Sequence, residues 1–332
     1  EGMNLLKIEV EVYRNHVVID MGTLTDDRIT IGTTALDKDT ESHLSKPEEK
    51  ITIIDTVEYE GLKKGQSYKL LGTLMDKETG KPIEVDGNPV TAETTFKPKK
   101  TSGSTEVKFT FDATSLRGKT IVVFEELYQD DLKLAVHADI EDEDQTIYFP
   151  EIKTTAKDAH TDSNLSLAGK EVTLVDTVTY KNLLPGKEYV MTGTLMDKET
   201  GEAVVIDDKK VTAETTFTPE TAEGTVDVQF TLDGSTLAGK TVVVFESVSY
   251  EGKEFAVHAD LKDDGQTIYF PEIKTTAKDN VSGNHYAKPE KEITLIDTVS
   301  YQNLIPGKEY TLTGTLMDKE TKKPLEVDGK PI

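Results

Sequence analysis

The sequence predicts an all-β protein built from tandem immunoglobulin-like Greek-key β-sandwich domains. Two observations carry this prediction. A long internal repeat divides the 332 residues into modules, and each complete module holds about seven short strand-like segments, the number expected of such a sandwich. Helical periodicity is weak throughout, so no helical layer is expected.

The repeat is defined by motifs that recur at a fixed interval. "GTLMDKET" begins at residues 72, 193 and 314, and "EIKTTAKD" at 151 and 272, so every interval is 121 residues. Complete modules are predicted at residues 29–149 and 150–270, with an incomplete third module at 271–332. A unit of this size buries its own core, unlike a solenoid repeat. Residues 1–28 match no part of the repeat and are interpreted as a leader or the tail of a preceding domain.

The strands of a module can be followed in order along module 2. Each candidate alternates apolar and polar residues or is rich in β-branched and aromatic residues. Turns such as "LLPGKEY" and "LDGSTLAGK" separate them. The segments are "EVTLVDTVTY", "KEYVMTGTLMD", "VTAETTFTP", "TVDVQFTLDG", "KTVVVFESVSY", "KEFAVHADL" and "QTIYFPEI".

Composition excludes several classes of function. The formal net charge is −24, and an acidic surface repels nucleic-acid phosphates and anionic membranes. No apolar run is long enough to cross a bilayer, so no membrane insertion is expected. Cysteine is absent, so disulfides and thiolate metal sites are excluded. A stable extracellular protein of this kind would need another covalent staple.

Strand alternation places polar side chains on the apolar parity of each module. Asp55, for example, shares its parity with Ile53 and Val57 in "ITIIDTVEY", which predicts an inward carboxyl group. The parity of His137 and His258 is less decisive, because Val136 and Val257 are apolar on the opposite side. The inward polar residues of modules 1 and 2 are Thr33 and Thr154, Asp55 and Asp176, Glu125 and Glu246, and Gln145 and Gln266.

Each of these residues alone has a structural explanation, since a single inward carboxyl is more often a hydrogen-bonded core group than a catalyst. The combination of a hydroxyl, an amide, two carboxyls and an imidazole in both complete modules is harder to explain by packing. Two carboxyls that lie close together in a dry site cannot both ionise cheaply. One of them should therefore keep its proton and act as a hydrogen-bond donor.

The pattern "TT…DTVxYxxL…GTLMDKxTG…VVFE…VxHAD…Q" resembles the stalk domains of Gram-positive surface adhesins that form intramolecular Thr–Gln ester bonds, called VaFE repeats. The resemblance covers both full modules and the front half of the third. It implies that a Thr near the first strand attacks the carboxamide of a Gln on the last strand and releases ammonia. The linked pairs would be Thr33 with Gln145 and Thr154 with Gln266.

The resemblance also implies catalytic roles for Asp55, Glu125 and His137, and for Asp176, Glu246 and His258. We expect the imidazole to take the threonine proton, oriented by Asp55 in module 1 and Asp176 in module 2. The protonated Glu would polarise the amide carbonyl. No cofactor or metal is expected. Because these groups act once on their own chain, the protein is not expected to be an enzyme.

The function implied is a structural stalk on the bacterial cell surface. The parent protein would be anchored to peptidoglycan, outside the cell, and would bind a host surface ligand through a part absent from this sequence. A monomer is expected. The third module contains Thr275 and Asp297 but no Glu, His or Gln equivalents within the sequence, so Thr275 should keep a free hydroxyl.

Three alternatives remain open from the sequence. The first is a pilin-like stalk with Lys–Asn isopeptide bonds, which ranks below the ester because inward parity selects Thr and Gln. The second is a ligand-binding adhesin module for a host protein or carbohydrate, although aromatics are only 7%. The third is a calcium-stiffened array, suggested by "EDED" at 141–144, a run that is usually just solvated.

Overall fold

The computed structural model describes residues 28–332, which are folded into β-strands and three short 3-10 turns with no α-helix among them. The all-β prediction is confirmed. The interpretation of residues 1–28 falls outside the described residues except for Arg28. In module 1 the elements are β1 Thr30–Asp37, β2 Ile51–Glu60, β3 Tyr68–Asp76, β4 Glu84–Val85, β5 Asn88–Pro89, β6 Thr91–Phe96, β7 Gly103–Phe111, η1 Thr114–Leu116, β8 Thr120–Gln129, β9 Leu132–His137, η2 Glu143–Gln145 and β10 Thr146–Tyr148.

Module 2 repeats this order, and the described part of the third module contains four strands. The elements of module 2 are β11 Glu151–Asp158, β12 Val172–Lys181, β13 Tyr189–Asp197, β14 Val205–Ile206, β15 Lys209–Lys210, β16 Thr212–Phe217, β17 Gly224–Leu232, β18 Thr241–Tyr250, β19 Lys253–His258, η3 Asp264–Gln266 and β20 Thr267–Tyr269. Those of residues 271–332 are β21 Glu272–Asp279, β22 Leu295–Gln302, β23 Glu326–Val327 and β24 Lys330–Pro331.

Each complete module is a sandwich of two antiparallel sheets. In module 1 one sheet has the order β1-β2-β7, and the other has the order β6-β3-β8, with β9 and β10 both paired to β8. The chain crosses from β2 to β3, returns from β6 to β7 and crosses again to β8, which is Greek-key connectivity of the immunoglobulin type. Module 2 has the equivalent sheets β11-β12-β17 and β16-β13-β18 with β19 and β20.

Alternation along the strands builds the core between the sheets. In β2 every second side chain is buried, from Ile51 to Tyr59, while those between are partly or fully exposed. Both sheets contribute to the core of module 1, as shown by Ile53, Leu70, Phe109 and Ile147, each at most 1% exposed. The polar side chains that follow the same inward parity are therefore carried into this dry layer.

The first and last strands of a module meet at one edge, where β1 lies against β9, η2 and β10. The segment after β1 also pairs with β10, because the backbone N–H of Ser45 donates to the carbonyl of Tyr148 (3.0 Å) and that of Tyr148 donates to His43 (2.8 Å). Asp37 and Ser45 fix this segment through a buried hydrogen bond of 2.6 Å from the Ser45 hydroxyl. The two ends of the module are thus held side by side.

The third repeat is represented by the β21–β22 pair and the short β23–β24 hairpin. Thr275 and Asp297 lie on β21 and β22, and both are exposed. Among the described residues, no helix is long and apolar enough to span a membrane.

Candidate functional site

The side chain of Thr33 points into the module because side chains alternate along β1. Its side chain is 9% exposed, whereas that of the adjacent Thr34 is exposed. In the antiparallel register, Thr33 lies opposite Val57 and Ala35 lies opposite Asp55. Thr33 and Asp55 therefore come from neighbouring positions of one sheet, and the inward parity predicted for the first threonine of the pair is confirmed.

The two carboxyl groups come from different sheets. Asp55 lies on β2 and Glu125 on β8, and both are fully buried. Their counterparts Asp176 and Glu246 are 0% and 1% exposed. The site therefore lies between the two sheets, where water is excluded and an ionised carboxylate is poorly solvated.

Gln145 enters from the turn η2 and is fully buried. The resemblance implied a glutamine on the last strand, and the structure places it directly before that strand. Its Nε2 donates to Oδ1 of Asp55 at 3.1 Å, and in module 2 the Gln266 Nε2 donates to Oδ1 of Asp176 at 3.2 Å. The amide is thus held with its nitrogen on the aspartate.

Several buried polar atoms of the site have no hydrogen-bond partner among the described residues. In module 1 these are Thr33 Oγ1, Asp55 Oδ2, both carboxyl oxygens of Glu125 and Gln145 Oε1, and the same five atoms recur in module 2. Buried polar groups are almost always paired, so a cluster of unsatisfied ones requires an explanation. It consists here of a nucleophile, an electrophile and two proton-handling groups.

Burial raises the pKa values of the two carboxyl groups to different extents. It raises the pKa of Glu125 to about 10, and the neighbouring charge of Asp55 contributes to the increase. Burial also raises the pKa of Asp55 to about 6, against the hydrogen bond from Gln145, which lowers it. At neutral pH the pair therefore holds one proton, on the glutamate, while the aspartate is ionised.

The same division is found in module 2. Burial raises the pKa of Glu246 to about 10, helped by Asp176. The pKa of Asp176 rises to about 6 through burial, and Glu246 and the Thr154 side chain both act to lower it. In the strand register Thr154 lies opposite Val178, two residues from the aspartate that also holds the glutamine.

These shifts predict how the stability of unlinked modules depends on pH. In a Thr33→Ala/Thr154→Ala variant, each folded glutamic acid keeps a proton that the unfolded chain releases above the ordinary pKa. Because the folded state then binds more protons, stability falls as pH rises from about 5 to 9, by at most about 1.4 kcal/mol per pH unit for each such proton. Thermal melts across this range measure the slope.

The matched control for that experiment adds Glu125→Gln and Glu246→Gln to the same background. Amides of nearly the same shape do not titrate, so the pH profile should flatten above about pH 7, where Asp55 and Asp176, with pKa values raised to about 6, are also ionised. An equally steep decline in the four-substitution variant would show that the buried glutamic acids are not its source.

The structure corrects the predicted pairing of His137 with Asp55. The Nε2 atom of His137 lies 2.6 Å from Oδ2 of Asp142, while Asp55 is engaged with the glutamine. In module 2 His258 and Asp263 are 2.7 Å apart in the same way. The reason is local. Asp142 caps η2 in the short loop between β9 and Gln145, so its carboxylate lies closer to the imidazole than Asp55 on the other sheet does.

The imidazoles lie at the rim of the site. His137 sits opposite Glu125 in the β8–β9 register, and its side chain is 24% exposed. A protonated imidazole at this position lowers the pKa of Asp55, against the larger effect of burial, which raises it. The structure therefore brings Thr33, Asp55, Glu125 and Gln145 together in the dry interior and sets His137 beside them with its own carboxylate partner.

Asp142 and Gly72 are site residues that the sequence reasoning missed. A Cβ at Gly72 would lie 2.3 Å from Glu125 Oε1 and 2.3 Å from the ring of Phe109. Gly193 has the same relation to Glu246 and Phe230. The available signal was a glycine inside a strand, which often marks a close approach. No group of three or more side chains that could hold a metal ion occurs within the described residues. Of the acidic run "EDED", Asp142 caps η2 and contacts His137.

A buried hydroxyl, an amide and a carboxyl pair recur in both complete sandwiches. The sequence profile described as "T-Q ester bond containing domain" matches residues 29–149, 150–270 and 271–332. The chain belongs to this family. No curated protein matches it.

Solved structures with some likeness include a bacterial adhesin from Mobiluncus mulieris that contains intramolecular disulfide, isopeptide and ester bond cross-links. It is 16% identical, covers 78% of this chain and 91% of its own, and has a TM-score of 0.33. The C-terminal domain of the Streptococcus agalactiae AgI/II polypeptide BspA is 11% identical, covers 68% of this chain and 96% of its own, and has a TM-score of 0.36.

Proposed function

We propose that each complete module forms one ester bond, between Thr33 and Gln145 in module 1 and between Thr154 and Gln266 in module 2. The observation that carries this proposal is the set of buried atoms without partners. A threonine hydroxyl, a glutamine carbonyl and carboxyl oxygens of two acids are buried without partners on elements that pack against one another, and the same set occurs in both modules of a chain that belongs to the T-Q ester bond family.

The reaction begins with proton transfer from the threonine. Oδ2 of the ionised Asp55 has no partner and accepts the proton of Thr33 as Oγ1 attacks the amide carbon of Gln145. Glu125, protonated because burial raises its pKa, donates to Oε1 and stabilises the negative charge that develops there. Neither of these hydrogen bonds is formed in the structure, so side-chain movements within the site must bring Oδ2 to the threonine and the Glu125 carboxyl to Oε1 before the bond forms.

The intermediate collapses by loss of the amide nitrogen. Nε2 already donates to Asp55 Oδ1, so the proton that Asp55 received from Thr33 can pass to this nitrogen, which leaves as ammonia. The carbon–nitrogen bond breaks as the carbonyl double bond to Oε1 re-forms, and no other reactant is required. His137 is fixed by Asp142 at the rim of the site, and it contacts none of the reacting atoms through a hydrogen bond of the described residues.

Folding supplies the alignment that a bimolecular reaction lacks. Holding the two groups in contact can remove about 7–11 kcal/mol from the barrier, and the dry layer between the sheets protects the ester from hydrolysis. The residues act once, on their own chain, so the protein turns over no external substrate.

The location of the bond supports a structural role. Thr33 lies on β1 and Gln145 lies in η2, near opposite ends of the module, so the cross-link encloses nearly the whole domain. A tandem array closed in this way resists pulling on its termini without any cysteine. We infer that the chain is a stalk segment of a bacterial cell-surface adhesin, in a parent protein attached to the cell wall, with a host ligand bound elsewhere in that parent.

The isopeptide alternative is less well supported. A Lys–Asn bond requires a lysine in the dry interior, and the buried polar side chains within residues 28–332 include no lysine. Hydroxylamine at moderately alkaline pH distinguishes the two chemistries, because it cleaves an ester and leaves an isopeptide bond intact.

Intact mass and peptide mapping test the proposal. We expect the protein to be lighter than its sequence by two ammonias, with the peptides of Thr33 and Gln145 joined, and likewise those of Thr154 and Gln266. Thr33→Ala should abolish one loss and leave the other, while Thr34→Ala, at the exposed neighbour, should abolish neither. A full sequence mass for the folded protein would refute the ester.

A further inference from the structure

Modules 1 and 2 are in direct contact through a short segment of module 1. This tip segment, residues 38–47, follows β1 and contains a single leucine, Leu44. The Leu44 side chain is fully buried, yet it belongs to the hydrophobic cluster of module 2, with Ile152, Phe255 and Ala256, and not to the cluster of module 1. A core residue of one module is thus supplied by its neighbour.

Polar contacts surround this leucine. Lys46 Nζ lies 3.3 Å from Glu254 Oε1 of β19, and Lys253 Nζ donates to the backbone carbonyl of Asp39 at 2.8 Å. On the other side of the junction, Asn182 Nδ2 donates to the carbonyl of Phe149 at 3.3 Å. The tip segment therefore docks on β19, and the contact has an apolar centre with a polar rim, the usual anatomy of a specific interface.

The repeat provides an internal comparison. Leu165 occupies the position of Leu44 in module 2, and it is only partly buried, because residues 271–332 contain no counterpart of β19. Conversely, Phe255 is 2% exposed, whereas Leu134 at the same position of module 1 is only partly buried. The burial of Leu44 and Phe255 is therefore produced by the contact between modules and is not a property of the repeat alone.

The charges at this contact differ between modules. Module 2 has Leu167 where module 1 has Lys46, and module 1 has Lys133 where module 2 has Glu254. The charge of the tip segment of module 1 thus complements that of β19 in module 2. Against β9 of module 1, Lys46 would face Lys133 and would be repelled. Like charges placed opposite one another are a common means of excluding a wrong partner.

We propose that the tip segment and β19 form an order-specific joint that makes modules 1 and 2 one rigid body. The partner of the tip segment is the β19 strand of the module that follows it in the chain. The joint does not alter the exposure of the site histidines. His258 lies on the docked strand β19 and His137 on the undocked strand β9, yet their side chains are 23% and 24% exposed.

Pulsed electron spin resonance on the full chain tests the joint. The chain has no cysteine, so spin labels can be placed uniquely at Glu106→Cys on β7 and Glu214→Cys on β16, both exposed. We expect a single narrow distance peak. Leu44→Glu should abolish it and give a broad distribution, whereas the matched control Leu165→Glu should keep the peak.

Order specificity is tested with a surface substitution that leaves both cores intact. Glu254→Lys introduces the residue that module 1 carries at this position and should broaden the peak, while Lys133→Glu should not. Circular dichroism melts establish whether each variant is folded. If Leu44→Glu unfolds, the distance distribution of Glu254→Lys is the test of the joint. A broad distribution in the unsubstituted chain, or a narrow one in folded Leu44→Glu and in Glu254→Lys, would overturn the joint. Neither outcome depends on ester formation.

Discussion

Asp55→Asn should stop ester formation in module 1 and leave module 2 linked. Asparagine keeps the shape of the side chain and can still accept the hydrogen bond from Gln145, but it cannot take the threonine proton. General-base catalysis contributes about 10²–10⁴-fold to such reactions, so the rate of ammonia loss from module 1 should fall by at least the lower figure. Time-resolved intact mass after refolding measures the rate in each module.

Module 2 of the same molecule is the internal control, because Asp176 is unchanged. Ammonia loss from module 1 of the Asp55→Asn variant at the original rate would show that another group is the base. His137, held by Asp142, would then be that group, and His137→Ala would be expected to stop the reaction instead.

Force spectroscopy of Thr33→Ala should reveal an unfolding event that is absent from the unsubstituted protein. Without the ester, module 1 can extend fully, and about 120 residues at about 3.3–3.6 Å each release roughly 400 Å of chain less the folded length. With the ester, Thr33 and Gln145 remain joined and the loop between them cannot lengthen. The extension gained per event is the quantity measured.

Thr34→Ala is the matched control for the pulling experiment, since its side chain is exposed and takes no part in the bond. It should behave as the unsubstituted chain does. Equal extension of module 1 in the Thr33→Ala and unsubstituted proteins would show that the bond has no mechanical role.

In thermal melts, closing a loop of about 100 residues is expected to add up to about 5 kcal/mol to the free energy of unfolding, by analogy with a disulfide.

Parity predicted most of the site, because period-two alternation is a local property that survives folding. It selected Thr33 over Thr34 and marked Asp55 and Glu125 as inward, and all three are buried in the structure as expected. The parity of Gln145 was also inward, but the residue lies in a 3-10 turn. Alternation identifies which side a residue faces and does not show where a strand begins.

The missed residues depend on tertiary geometry. Asp142 belongs to the acidic run "EDED", which resembles any solvated loop until the chain turns and brings it to His137. Gly72 is needed only because the Glu125 side chain lies where its Cβ would be. Leu44 is one apolar residue in a polar loop, and no periodicity distinguishes it from an exposed leucine.

The order of the strands has a consequence for biosynthesis. Thr33 is among the first residues of its module to leave the ribosome, whereas Gln145 comes more than a hundred residues later, and both must occupy the finished sandwich before they can react. A module that has misfolded or been cut short stays unsealed. The proposed bond would therefore form only in a module that has folded completely, and module 1 would become linked before module 2 during synthesis.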